Sequence, residues 1–73
     1  MDVERLTYMA NQISKFFAHK PEAKAIAGIE EHIRQFWDPR MRAAILASDG
    51  AGLDRLARAA IERLRLTGPA PRT

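Results

Sequence analysis

Apolar residues recur at helical spacing along almost the whole chain. In the first segment they follow the i, i+3, i+4, i+7 pattern of one helix face: Leu6, Met9, Ala10, Ile13, Phe16 and Phe17. Asp2 is the predicted N-cap of this helix, since its side chain can accept from a free backbone N–H. The pattern stops before Pro21, which disfavours helical backbone at Lys20 and suits the first turn of a new helix.

A second helix is predicted over about residues 21–36. Its apolar stripe consists of Ile26, Ile29, Ile33 and Phe36. Glu30 and Arg34 form a supporting i, i+4 pair. Gly28 lies inside the helix at a cost of about 1 kcal/mol relative to alanine, so we expect another helix to approach closely there.

Two shorter patterns follow. Asp38 and Pro39 are typical of a helix start, with an acceptor at the N-cap and a proline at N1, and predict a third helix over about residues 39–47. Gly50 and Gly52 suit the left-handed conformations of a helix exit. A fourth helix is predicted over about residues 53–66, with Asp54 in its first turn and this apolar stripe: Leu53, Leu56, Ala60, Ile61 and Leu64.

The predicted fold class is therefore all-α: a small helical bundle of three longer helices plus one short helix, joined by tight turns. No segment alternates with period two for long enough to predict a strand. We expect one helical domain over residues 1–67 and a flexible C-terminal tail over residues 68–73. A core this small is only marginally stable, so a partner or a second copy is expected to add stability.

Composition excludes several kinds of chemistry. The chain has no cysteine, which removes disulfides, thiolate zinc sites, iron–sulfur ligation and cysteine nucleophiles. His19 and His32 are thirteen residues apart and lack further ligands at metal-binding spacing, so we expect no metal site, and His32 is expected to be a half-buried packing residue. No stretch is long enough to span a membrane, and the acidic N-terminus does not resemble a signal peptide. We expect a cytoplasmic chain that is not an enzyme on its own.

Charge is distributed unevenly. Residues 1–38 carry a net charge of −1, whereas residues 39–73 carry +4, and every basic residue of that second half is arginine. This could indicate a small basic helical nucleic-acid-binding protein, with a phosphate-facing row of Arg55, Arg58 and Arg65. Asp54 and Glu62 interrupt that surface, and a solvated basic face is an equally good interpretation.

Two groups of residues are candidate contact sites. Trp37, Arg40 and Arg42 lie at the joint between the second and third helices and are of the types enriched at interface hot spots. Phe36 is on the apolar stripe, and we expect it to plug the end of the bundle instead. A polar strip shares one face of the first helix, although an ordinary exposed face has the same pattern: Tyr8, Asn11, Gln12 and Lys15.

Two stretches are similar to a known family. Residues 9–13, Met-Ala-Asn-Gln-Ile, and residues 36–42, Phe-Trp-Asp-Pro-Arg-Met-Arg, resemble the delta subunit of NAD-dependent, molybdenum-containing formate dehydrogenase, and the resemblance covers about residues 4–66. It implies a small accessory subunit of a soluble bacterial complex. In that complex the alpha subunit holds the molybdenum bis-guanine-dinucleotide cofactor and iron–sulfur clusters, while beta and gamma carry electrons through further clusters and FMN to NAD.

The resemblance implies no cofactor and no catalytic residue in this chain. The implied role is to stabilise the complex or to assist molybdenum-cofactor insertion into the alpha subunit. The motif positions expected to contact the partner are Asn11, Gln12, Trp37, Arg40 and Arg42. Two alternatives stay open at this point: a nucleotide could meet the arginines near the start of the third helix, and the chain could associate with itself.

On this interpretation Trp37 fills a pocket of the alpha subunit, while the amide and guanidinium groups pair with its backbone or carboxylates. We therefore expect the double substitution of Trp37→Ala and Arg40→Ala to weaken co-purification with the alpha subunit. The bundle is expected to stay folded, as checked by its helical circular dichroism.

Overall fold

Four helices make up the computed structural model, which describes residues 2–67. They are α1 (Val3–Phe17), α2 (Glu22–Phe36), α3 (Pro39–Ala47) and α4 (Arg55–Thr67), and no strand occurs among the described residues. The predicted all-α class is confirmed, and helix lengths of 15, 15, 9 and 13 residues fit a bundle of three longer helices and one short one. The predicted tail, residues 68–73, lies outside the described residues.

Two helix starts are set by the predicted caps. The Asp2 carboxylate accepts from the backbone N–H of Glu4 at 3.0 Å, at the start of α1. The Asp38 carboxylate accepts from the N–H of Met41 at 2.9 Å, and Pro39 occupies the first turn of α3. Each side chain satisfies one of the backbone donors that a helix N-terminus leaves free.

The other two helices begin slightly later than the sequence pattern predicts. Pro21 is the N-cap of α2 and not its first residue. α4 begins at Arg55 because Asp54 is its N-cap, with the carboxylate accepting from the N–H of Ala57 at 2.8 Å. Leu53, the predicted first residue of α4, instead belongs to the preceding turn and is buried in the core. Gly50 and Gly52 shape that turn with φ values of +79° and +88°, as predicted.

One apolar core joins the helices. α2 packs most extensively against α4 and also against α1, while α3 packs against α1 and α4. The buried core side chains come from all four helices, the joint between α2 and α3, and the turn before α4: Leu6, Ala10, Ile29, Ile33, Trp37, Ile45, Leu53, Ala57, Ala60, Ile61 and Leu64. Alanines at four of the buried positions, including Ala25 beside this cluster, let the helices pack closely.

Ion pairs fix the relative direction of α2 and α4. Glu22 pairs with Arg55 at 2.7 Å and Glu30 with Arg63 at 2.9 Å, so the partners advance by eight residues on each helix and the two helices run parallel. Glu30 is buried and also accepts from Arg34 at 2.5 Å, which confirms the predicted i, i+4 pair. A buried carboxylate is tolerated when it is paired in this way, and removing a partner is costly.

The end of α2 differs from the sequence expectation. Phe36 was expected to plug the bundle, but its side chain is 70% exposed, whereas that of Trp37 is only 4% exposed. The reason is that α2 stops at Phe36 and the backbone of Trp37 is extended, with φ −86° and ψ 137°. Helical periodicity therefore no longer applies to Trp37, and the change of chain direction turns its ring into the core.

Gly28 lies against a close neighbour, as its unfavourable helix propensity predicts. A Cβ atom at this position would lie 2.6 Å from Cε1 and 2.8 Å from Cδ1 of the Phe17 ring, which α1 places directly over the backbone of α2. Both distances are shorter than van der Waals contact. The glycine therefore allows α1 and α2 to approach through an aromatic ring.

Gly28→Ala tests this packing. Helix propensity alone predicts stabilisation by about 1 kcal/mol. Because the new methyl group overlaps the Phe17 ring, we expect destabilisation of about 1–2 kcal/mol instead, measured by urea denaturation. In the Phe17→Leu background the same substitution should cost less, and a gain in stability in the wild-type background would contradict the close approach.

Candidate docking surface

Asn11 connects α1 to the turn before α4. Its Nδ2 donates to the carbonyl oxygen of Gly52 at 2.9 Å, and its Oδ1 accepts from the N–H of Asp54 at 2.9 Å. Ser14, one turn further along α1, is buried and donates from Oγ to the Asp54 carboxylate at 2.8 Å. We call these four residues the α1–α4 junction. Both the Nδ2 donor and the Oδ1 acceptor of Asn11 are therefore hydrogen-bonded within the molecule.

Arg42 stabilises the end of α2. One of its terminal nitrogens donates to the carbonyl oxygen of Arg34 at 3.1 Å and to that of Trp37. The last carbonyls of a helix lack intrahelical partners and carry partial negative charge, so a guanidinium ion is well suited to them. Arg65 has the same role at the end of α3, where it donates to the carbonyl of Leu46 at 2.7 Å.

The five predicted contact residues therefore fall into two groups. Asn11, Trp37 and Arg42 have roles within the fold, in the junction, the core and the α2 terminus. Gln12 and Arg40 are exposed and have no hydrogen bond or ion pair within the described part of the chain. Whether any of the five contacts a partner stays a prediction.

Because Trp37 is buried, its substitution affects the stability of the fold as well as any contact with a partner. Replacing a buried tryptophan by alanine costs about 3–5 kcal/mol, a large share of the stability of so small a domain. The double substitution of Trp37 and Arg40 therefore tests folding and docking together. Arg40→Ala alone leaves the core intact and tests docking.

A groove between α1 and α2 offers a surface that the sequence pattern did not predict. Its volume is about 300 Å³, and the surface exposed inside it is almost wholly apolar. The lining residues are Gln12, Ile13, Phe16, Phe17 and His32. Phe16 packs edge-to-face on Phe17 with ring centroids 5.3 Å apart. On the other helix, the ring centroids of Phe36 and His32 are 4.8 Å apart. Phe36 therefore extends the apolar surface along α2. We call these six residues the aromatic groove.

Exposure sets the aromatic groove apart from the rest of the described surface. Phe16 is 72% exposed and Phe36 70%, although both lie on predicted core stripes. The other exposed large hydrophobic side chains are Val3, Tyr8 and Leu66. Single exposed apolar residues are common, but a groove flanked by exposed aromatic rings is typical of an interaction site.

A signal for the exposure of Phe16 was present in the sequence. Phe16 and Phe17 are adjacent, so they point about 100° apart on a helix and both cannot face α2 equally. Phe17 covers Gly28, which leaves Phe16 at the edge of the packed face. No comparable signal marks Phe36, whose exposure follows from the helix ending at that residue.

The arginine row considered for nucleic acid is largely engaged within the fold. Arg55 pairs with Glu22 at 2.7 Å, and Arg65 pairs with Glu62 at 2.5 Å in addition to capping α3. Of the row, only the guanidinium of Arg58 has no ion pair or hydrogen bond among the described residues. The arrangement gives the nucleic-acid hypothesis no support.

Metal-binding and membrane-spanning features are absent from the described residues. No three histidine, aspartate or glutamate side chains within residues 2–67 are grouped so as to hold a metal ion. His32 is half-buried beside Phe36, as predicted. None of the described helices is both long and apolar enough to cross a bilayer.

Comparison with known proteins identifies the family. Residues 5–61 match the model of the family described as NADH-dependant formate dehydrogenase delta subunit FdsD. The chain belongs to the FdsD family. The match includes both stretches that carried the resemblance and most of the four helices. No curated protein and no solved structure matches the chain.

Membership places the structural features in the context of a multisubunit enzyme. The family description denotes a subunit of formate dehydrogenase, so this FdsD chain is expected to have at least one surface that contacts another subunit. The first family-like stretch, residues 9–13, contributes Asn11 to the junction and Gln12 and Ile13 to the aromatic groove. The second, residues 36–42, ends α2 and starts α3.

The α1–α4 junction can be tested by replacing its central amide. We expect Asn11→Ala to lower the free energy of unfolding by about 1–2 kcal/mol, because a backbone donor and a backbone acceptor each lose a partner. Gln12→Ala is the matched control, since Gln12 is adjacent, exposed and makes no internal hydrogen bond, and should change stability by less than about 0.5 kcal/mol. Equal stabilities of the two variants in urea would show that the Asn11 amide contributes nothing to the stability of the fold.

Proposed function

We propose that the chain is a non-catalytic accessory subunit that docks onto the alpha subunit of a molybdenum-containing, NAD-dependent formate dehydrogenase through the aromatic groove. Membership of the delta-subunit family supports a role within this enzyme. The exposed rings of Phe16 and Phe36 around the groove are the single observation that supports docking at this surface.

The energetics of the rings favour docking. At about 70% exposure, each phenylalanine leaves roughly 100–170 Å² accessible to water. Burying that area would contribute about 2–4 kcal/mol per ring before the cost of association is subtracted. Two such rings beside one groove are enough to form the centre of an interface hot spot.

Docking would also stabilise the small subunit itself. A ligand that binds only the folded state stabilises that state by mass action, and this applies to both partners of a complex. The bundle has a small core and a buried charged pair network at Glu30, so binding energy adds usefully to its own stability. This linkage supports a role for the chain as an accessory subunit that stabilises the assembled enzyme.

The finer role concerns assembly. We propose that the docked chain either holds the alpha subunit in its assembled form or assists insertion of the molybdenum bis-guanine-dinucleotide cofactor into it. The cofactor, the iron–sulfur clusters, FMN and NAD would all be bound by the other subunits. Arg40 and Gln12, exposed and without internal partners, are available for polar contacts at the edge of the interface.

Paired serine substitutions test docking at the aromatic groove. We expect Phe16→Ser with Phe36→Ser to reduce retention of the chain by the co-expressed alpha subunit at least tenfold, because the interface loses two buried rings. Tyr8→Ser with Leu66→Ser is the matched control, since it removes two exposed apolar side chains outside the groove, 63% and 83% exposed. Both pairs should keep their helical circular dichroism and cooperative unfolding.

If the groove variant is retained like the control, docking at the aromatic groove is wrong. If both variants and the wild-type chain fail to co-purify with any formate dehydrogenase subunit, the accessory role itself is contradicted.

A further inference from the structure

The acidic side chains of the fold are mostly used internally, whereas many of the cations are not. Glu22, Glu30 and Glu62 are in ion pairs with arginine, and Asp2, Asp38 and Asp54 cap helices. Among the described residues, six exposed cationic side chains have neither a carboxylate within 4 Å nor a hydrogen bond: Arg5, Lys15, Lys20, Lys24, Arg40 and Arg58. These six side chains are available for contact with a partner.

Two of these cations lie at one end of the aromatic groove. Lys24 begins a stripe of α2 that continues through Gly28, His32 and Phe36 at intervals of four residues. Gly28 faces the groove residue Phe17, so Lys24 lies one helical turn before the position at which α2 meets that ring. Lys20 lies in the adjoining turn, where its N–H donates to the carbonyl of Phe17 at 3.0 Å.

The shape of the site favours a helix as its occupant. The backbone groups of α1 and α2 along the groove are bonded within their own helices, so they offer no edge for an added strand. A helix satisfies its own backbone and can place an apolar stripe between two others by the usual packing of ridges into grooves. Phe16 lies on α1 and Phe36 on α2, the two helices that form the groove.

Resting on the function proposed above, we propose that the aromatic groove receives an amphipathic helix of the larger subunit whose flank is acidic. The apolar stripe of that helix covers Phe16 and Phe36, and carboxylates at one end of it meet Lys20 and Lys24. The apolar contact provides most of the affinity. The charge pairing sets the orientation of the helix and speeds association.

Charge reversal at Lys24 tests the orientation. In the co-expressed enzyme, we expect Lys24→Glu to weaken binding of the chain roughly 5- to 20-fold at low salt, with the difference shrinking as salt is raised. Lys24 lies in the first turn of α2, where a carboxylate is favoured by the helix dipole, so weaker binding cannot be attributed to loss of the fold.

Arg58→Glu is the matched control. It makes the same change of charge at an exposed position in the first turn of α4, away from the groove, and should leave binding unchanged. If Lys24→Glu binds like the wild-type chain, or if Arg58→Glu weakens binding equally, the acidic-helix proposal is overturned while docking by the aromatic rings can still hold.

A photo-crosslinking residue in place of Phe36 identifies the occupant directly. In the assembled enzyme, the crosslinked peptide should come from a subunit other than this chain and should combine an i, i+3, i+4 apolar pattern with Asp or Glu on its flank. A crosslink to a second copy, to nucleic acid or to a segment without that pattern would overturn the inference. If the wild-type chain does not join the enzyme at all, both this inference and the proposed function fail.

Discussion

The hydrogen bonds between Asn11 and the turn before α4 decide which side of α1 is covered. They hold Gly52 and Asp54 against one flank of α1, and Asp54 then starts α4 on that side of the bundle. Phe16 lies five residues after Asn11, about 140° around the helix, and so faces the opposite flank. The same arrangement that closes the core on one side of α1 therefore leaves the aromatic groove open on the other.

Three of the five motif positions expected to contact a partner have roles within the fold. Asn11 positions a turn, Trp37 fills the core and Arg42 satisfies the end of α2. In a chain this short, each such contact represents a large share of the total stability. A motif residue in a small subunit can thus be retained for the fold that presents a surface, and the surface itself can be made by its neighbours.

The elements of the fold were largely predictable because their causes are local. Asp2 and Asp38 predict helix starts because their side chains can cap, and Pro39 because it suits the first turn. The low helix propensity of Gly28 indicated a close neighbour. The site was less predictable. Helical spacing along α2 groups Phe36 with the core residues. Its exposure instead depends on where α2 ends, and that end is set by the packing of Trp37 in the core.

If the chain docks as proposed, the exposed rings of Phe16 and Phe36 are covered when the subunit joins the enzyme. Hydroxyl-radical footprinting with mass spectrometry measures the accessibility of individual side chains, in the free chain and in the assembled formate dehydrogenase. We expect oxidation of Phe16 and Phe36 to fall several-fold on assembly, while Tyr8 and Leu66, which are similarly exposed in the free chain, stay reactive. Unchanged oxidation of both phenylalanines in an enzyme that contains the subunit would contradict docking at the aromatic groove.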